Sequence, residues 1–125
     1  KEAALAQIAN GVDVIIAIGD ACDVGAIQAA EEKGGYVIGW SGDFNSLSPN
    51  VVLTSAVQSV PDLVLLQGKM LREGSWVAEH KVWGITEGVQ FPGAWSPVVP
   101  ADLKAQIMAD FEAIKSGAMD KRVLL

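Results

Sequence analysis

The chain has 125 residues, half of them apolar and 19% charged, so it is one domain with ample surface to bury, neither disordered nor collagen-like. Fifteen acids against nine lysines and arginines give a net charge of −6 with no basic block, which argues against binding nucleic acid. No run approaches the roughly 20 apolar residues that span a bilayer, and one cysteine (Cys22) with one histidine (His80) leaves neither an intrachain disulfide nor a cysteine zinc cluster.

In chain order, Lys1 to Asn10 reads as a helix, with Leu5 and Ile8 on one face and Asn10-Gly11 as its stop. The chain thus opens inside a helical pattern and reads as a piece of a longer protein. Val12 to Ile18 is β-branched and apolar on both sides, the pattern of a buried parallel strand. A tight turn over 19–23 leads into a helix from Cys22 to Lys33, stopped by Gly34-Gly35. Tyr36 to Trp40 is the next strand, which completes a right-handed βαβ unit.

A Ser/Asn/Gly/Pro loop over Ser41–Asn50 precedes a third strand, Val51 to Val57. Ser59-Val60-Pro61-Asp62 has the form of a helix start: a serine cap, an early proline, and an acid three residues after the cap. That helix runs to about Arg72, with Gly74 beyond it. Lys81–Ile85 and Val89–Phe91 are short strand candidates, and Pro92–Val99 is an irregular loop. A last helix, from Pro100 or Ala101 to Ser116, carries Leu103, Ile107, Phe111 and Ile114 at helical spacing and ends at Gly117. The fold class is therefore α/β, with a parallel sheet covered on both faces.

Candidate ligand groups collect where strands meet loops. Gly19 and Asp20 sit in a strand-to-helix turn, where free N–H groups and the positive helix end suit an oxygen-rich ligand; the plainer reading is a turn with an Asp cap. Asp20 and Asp23 could hold a cation, but two carboxylates without a third ligand fit capping better. Cys22 is either a thiol activated by the helix end or a small buried apolar residue. Trp40, Ser41 and Asp43 follow the second strand, where open α/β sheets bind ligands. A tryptophan can stack on a planar ring and an aspartate can accept two hydrogen bonds from a diol, or the pair can serve loop packing and an Asx-turn. Trp76, Trp83 and Trp95 are expected in core or interface. No nucleophile–base–orienter set is complete, so no catalytic residue and no cofactor or metal is assigned.

Four stretches, in order, resemble one family: Asn10-Gly11-Val12-Asp13-Val14-Ile15; Ala29 to Gly34 leading into Tyr36-Val37-Ile38-Gly39; Pro49 to Ser55; and Val82 to Val89. The chain resembles the basic membrane protein (BMP, or Med-like) solute-binding lipoproteins of ABC importers. The resemblance implies a type I periplasmic-binding-protein fold, in which two lobes close on a ligand that is often a purine nucleoside. Residues 1–125 would be the C-terminal part of such a protein, with the stretch 59–80 a candidate for the other lobe or the hinge. The implied partners are a small-molecule solute and the ABC-transporter permease subunits, and the implied location is periplasmic or extracellular, with a lipid anchor. Family members commonly carry an acid where Ser41 stands and a lysine where Gln58 stands, so Gln58 joins the expected ligand set.

Two other classes fit the same pattern. One is the ligand-sensing effector domain of a transcription regulator, which would carry a DNA-binding head upstream. The other is a flavodoxin-like or receiver-like single domain or a small α/β enzyme, for which Asp20 is the one plausible phosphoacceptor. With its lobe partners absent, the piece is expected to be a homodimer, a swapped form, or unusually rich in exposed apolar surface.

Overall fold

The computed structural model describes residues 1–19 and 21–119. Helix α1 spans Glu2–Ala9, strand β1 Val14–Ile16, helix α2 Cys22–Lys33, and strand β2 Tyr36–Ser41. A 3-10 turn at Asn45–Leu47 precedes β3, Val52–Gln58, then α3, Val60–Arg72, β4, Gln90–Pro92, and α4, Ala101–Ser116. The sheet order is β1-β2-β3-β4, with the first three strands parallel and β4 antiparallel to β3.

The core lies between α1/α2 and one face of the sheet. Ala26, Ile27, Ala29 and Ala30 of α2 pack with Val37 and Val52, and Ala4 of α1 and Ala17 complete the cluster. Alanines let α2 lie close on the strands, and Ala29, Ala30, Val37 and Val52 are wholly excluded from water. Gly25 serves the same closeness, since a Cβ there would come within 2.8 Å of the Lys1 backbone nitrogen. Lys1 also ion-pairs with Glu32 across the two helices.

The helix punctuation is as the sequence predicts. Gly34 takes φ +82° and its N–H donates to Ala30 O, which closes α2 in a left-handed cap. Ser59 caps α3, accepting from Asp62 N–H at 3.4 Å while its own hydroxyl donates to the Asp62 carboxylate. Gly117 closes α4 with φ +78°.

Three expectations change. The first strand is shorter than Val12–Ile18, because only Val14–Ile16 pair regularly with β2, and Ile18 is 67% exposed. Lys81–Ile85 is not a strand: the free edge of β3 is taken by the chain from Val89 onward, through Ser59 N–H to Val89 O, the 56–58 to 90–92 ladder, and Gly93 N–H to Ser55 O. Residues 84–88 fold instead into a turn held by Gly84 N–H donating to Glu87 Oε2 at 2.7 Å. The sheet is covered closely on one face only. Over the other, α4 stands off from Ile38, Trp40, Thr54 and Ala56 and leaves a groove of about 490 Å³.

Large apolar side chains are left in water on β1 and α3. Ile16 and Ile18 flank the outer edge of β1, which pairs with no strand among the described residues. Helix α3 has no buried residue, and Leu65 on it is 70% exposed. The expected surplus of exposed apolar surface is thus present.

Candidate functional site

The carboxyl ends of β1, β2 and β3 lie side by side, because the three strands are parallel and adjacent. Gly19 is exposed in the loop after β1, where Cys22 N–H donates to Gly19 O at 2.9 Å and closes a tight turn into α2. Asp20 lies outside the described residues. Asp23 is buried in the first turn of α2, beneath that loop. Among the described residues no group of three or more metal-ligating side chains forms.

Cys22 is exposed, so it is not the buried packing residue that one reading expected. It is the first residue of α2, and nothing in the loop pairs it with His80 as a base: His80 is exposed in a separate segment, lining a pocket with Trp76 and Trp83. Cys22→Ser in the full-length protein is therefore expected to leave ligand affinity within about threefold, roughly 0.7 kcal/mol. Calorimetric titration checks this, and a 100-fold loss would make the thiol a ligand-contacting or reacting group.

The end of β2 is strained. Ser41 has φ +69°, the positive-φ non-glycine residue among those described, and Gly42 N–H donates to Trp40 O at 2.8 Å around it. This i to i+2 bond with positive φ is the rare form of γ-turn. A serine there costs of order 1–3 kcal/mol, and such strain gathers at ligand clamps. Aspartate and asparagine tolerate positive φ better than other non-glycine side chains, so serine is not the residue that backbone preference alone would select here.

Trp40 is half-buried and faces the groove beneath α4. It pairs with Ala56 in the β2–β3 register, so Gln58, two residues on, lies diagonally from it on the same face. Both line the groove, together with Trp95, Phe91 and Gln90. Trp95 carries Lys104 Nζ 5.9 Å from its ring centroid. Trp83 is half-buried and Trp76 exposed.

Asp43 is exposed, and both carboxylate oxygens accept backbone N–H bonds. Oδ1 accepts from Asn45 N–H at 3.1 Å, an Asx-turn, and Oδ2 accepts from Ala94 N–H at 2.8 Å. Gly93 makes room for this, since a Cβ there would fall 2.8 Å from the Asp43 carboxyl carbon. The loop after β2 is thereby tied to the segment after β4. A carboxylate has about four acceptor directions, so two remain for a ligand.

The structure thus brings Trp40 and Gln58 onto one face and places Ser41, Asp43 and Gly19 along the same edge of the sheet. The groove also takes in Trp95, which the sequence places in core or interface, and Gln90, which the sequence does not single out. Gln90 stands beside Gln58 because β4 runs antiparallel to β3, and an isolated three-residue strand carries no sign of its direction.

The comparisons with known proteins decide the family. The family model "ABC transporter substrate-binding protein PnrA-like" (Bmp) matches residues 1–117. This chain belongs to the Bmp family. Among curated Bmp relatives, the transcriptional activator protein Med of Bacillus subtilis is 32% identical over 98 residues, which is 78% of this chain and 31% of Med. Among solved structures, a transcriptional activator of the comK gene from Bacillus halodurans superposes with TM-score 0.89 at 29% identity, over 96% of this chain and 42% of that one. An ABC-transporter solute-binding protein from Conexibacter woesei superposes with TM-score 0.66 at 23% identity, over 95% of this chain and 40% of that one, and shares the fold. That fold is the periplasmic-binding-protein fold. The chain spans about a third of Med and about two fifths of each solved chain.

Proposed function

We propose that this chain is the C-terminal part of a solute-binding component of an ABC importer, and that Gly19, Asp20, Trp40, Ser41, Asp43 and Gln58 belong to its side of the ligand cleft. The observation that carries this reading is the strained γ-turn at Ser41, at the carboxyl end of the central strand in a Bmp-family chain. A turn that costs energy persists where the loop must present its groups in one geometry. The solute is small and polar or nucleoside-like, held between two lobes that close by hinge motion. The chain is not an enzyme and takes no cofactor. Its partners are the solute and the permease subunits, and the full-length protein works in the periplasm or outside the cell, held by a lipid anchor.

Helix α3 fits a role at the hinge or on the other lobe, since its exposed Val60, Val64, Leu65 and Leu71 offer a face for a lobe to cover. The same apolar surface would drive the piece alone into a homodimer. The test of function is mass spectrometry of small molecules released by full-length protein purified without refolding. A stoichiometric solute is expected, and none at all, with no binding in a solute screen, would contradict the reading.

A second reading rests on the activators Med and the Bacillus halodurans protein, whose names say transcription. In it the same lobe senses a ligand for a regulator. A helix-turn-helix upstream of Lys1 in the full gene would favour it, and a signal peptide with a lipid-attachment cysteine would favour the importer.

A further inference from the structure

We infer that the open pocket between α3 and the segment after it is a second binding site, apart from the strand ends, for a neutral pyranose sugar. The chain folds back on α3 beyond Gly74, where Ser75 N–H and Oγ both donate to Met70 O, at 3.0 and 3.3 Å. Residues 76–83 then run beside the helix with no helix or strand of their own. Between helix and segment lies a pocket of about 300 Å³, at the small end for a ligand site.

Its lining mixes aromatic and polar groups. Trp76 and Trp83 supply indole surface, and Gln67, Glu79, His80 and Lys81 supply polar side chains. Trp76 is 44% exposed and Trp83 is half-buried. The side chains of Gln67, Trp76, His80 and Trp83 make no hydrogen bond to another described residue. An amide, an imidazole and two indole N–H groups therefore keep their full bonding capacity.

The two charged groups are already matched. Lys81 Nζ lies 3.0 Å from Glu79 Oε1 and 5.9 Å from the centroid of the Trp83 ring. An added anion would have to part Lys81 from Glu79, and an added cation would have to displace Lys81 from Trp83. A purely apolar ligand would bury the amide and the imidazole unpaired. What remains suits a neutral molecule with an apolar face and a polar rim. A pyranose with equatorial hydroxyls has that form: its ring faces carry C–H groups that pack on indole, and its rim both donates and accepts. A free sugar and the end of a glycan chain present the same ring.

The pocket lies to one side of the apolar face that α3 offers to another lobe. Gln67 and Met70 are centred roughly 70° around the helix from the row Val60, Val64 and Leu71.

The experiment titrates full-length protein with methyl β-D-glucopyranoside and with cellotetraose. The indole N–H resonances of Trp76 and Trp83 are followed, assigned from the spectra of Trp76→Phe and Trp83→Phe. Both are expected to shift with one dissociation constant of order 1 mM for the glucoside. A gain of about tenfold or more for the tetraose would mark a glycan chain as the source, and a smaller gain a free sugar. Trp76→Ala is expected to weaken binding about tenfold, and Gln67→Leu about threefold. Melting temperatures show that each variant folds. The solute released on denaturation is expected to be the same in Trp76→Ala as in the parent. No shift at either indole up to about 50 mM glucoside, or unchanged affinity in Trp76→Ala, would overturn the inference. So would a Trp76 indole shielded from acrylamide in the unliganded full-length protein, since the rest of the chain would then fill the pocket. None of these outcomes touches the solute-binding reading, which stands or falls on the released solute.

Discussion

Gly39→Val is expected to cost the full-length protein about 3 kcal/mol, the upper end for overpacking a filled core, and to lower its melting temperature by roughly 6 to 12 °C. Gly39 sits in β2, which has a strand on each side, and is buried. A Cβ there would fall 2.6 Å from Ser55 Oγ and 2.9 Å from Phe44 Cδ2. Neither neighbour can retreat cheaply. Ser55 is wholly buried and its Oγ accepts from Phe44 N–H at 3.1 Å, so moving either breaks the bond that holds the loop after β2 against β3. Gly39→Ala should show a smaller loss, because it adds the clashing Cβ without valine's two further methyl groups, while both variants regain about 0.5–1 kcal/mol of glycine's conformational entropy. Thermal melts check both, and a valine variant that melts within roughly 1 °C of the parent would show that β2 and β3 can separate there freely.

Asp43→Ala is expected to act on both stability and binding. Two backbone N–H groups, on Asn45 and Ala94, lose their acceptor. Bonds to a charged group are worth about 1.5–3 kcal/mol when buried, and Asp43 is exposed, so about 2 kcal/mol for the pair is a fair expectation. The loop after β2 would part from the segment after β4, and ligand groups on the free acceptor directions of Asp43 would lose their partner. Affinity should therefore fall about 10- to 150-fold, the equivalent of 1.5 to 3 kcal/mol. Asp43→Asn keeps one carbonyl oxygen for Asn45 or Ala94 and should recover part of the stability. If the melting temperature falls and calorimetric affinity does not, Asp43 is a loop tie alone and leaves the ligand set.

Much of the fold is legible in the residues because its signals are local. The Gly34 and Gly117 stops, the Ser59-to-Asp62 cap and the β-branched runs each fix φ, ψ or hydrogen bonding within a few residues. The direction of β4 and the failure of Lys81–Ile85 to form a strand depend on which sheet edge is free, and that is settled by chain far away in sequence. The loose second face has the same cause. Leu103, Ile107 and Phe111 mark an apolar stripe on α4 but not how near the sheet lies, and the groove between them is a property of packing.

The positions proposed for the site follow from the strand pattern, and their local geometry does not. Strand order places Gly19, Trp40, Ser41, Asp43 and Gln58 on one edge once the βαβ pattern is seen. The strain at Ser41 has no signature in a serine, and only the glycine after it hints at a tight turn. The double use of Asp43 needs Ala94, 51 residues on. Gln90 becomes visible only with the antiparallel pairing.

The most direct test of the central claim is hydrogen–deuterium exchange on the full-length protein, with and without the solute it releases. If the carboxyl ends of β1 to β3 form one wall of a closing cleft, slowed exchange on binding is expected in the loop after Gly19, across 41–45, and at the junction of Gln58 with α3, with little change in the α1/α2 layer. Protection confined to the α1/α2 layer, or none at the three strand ends, would contradict it.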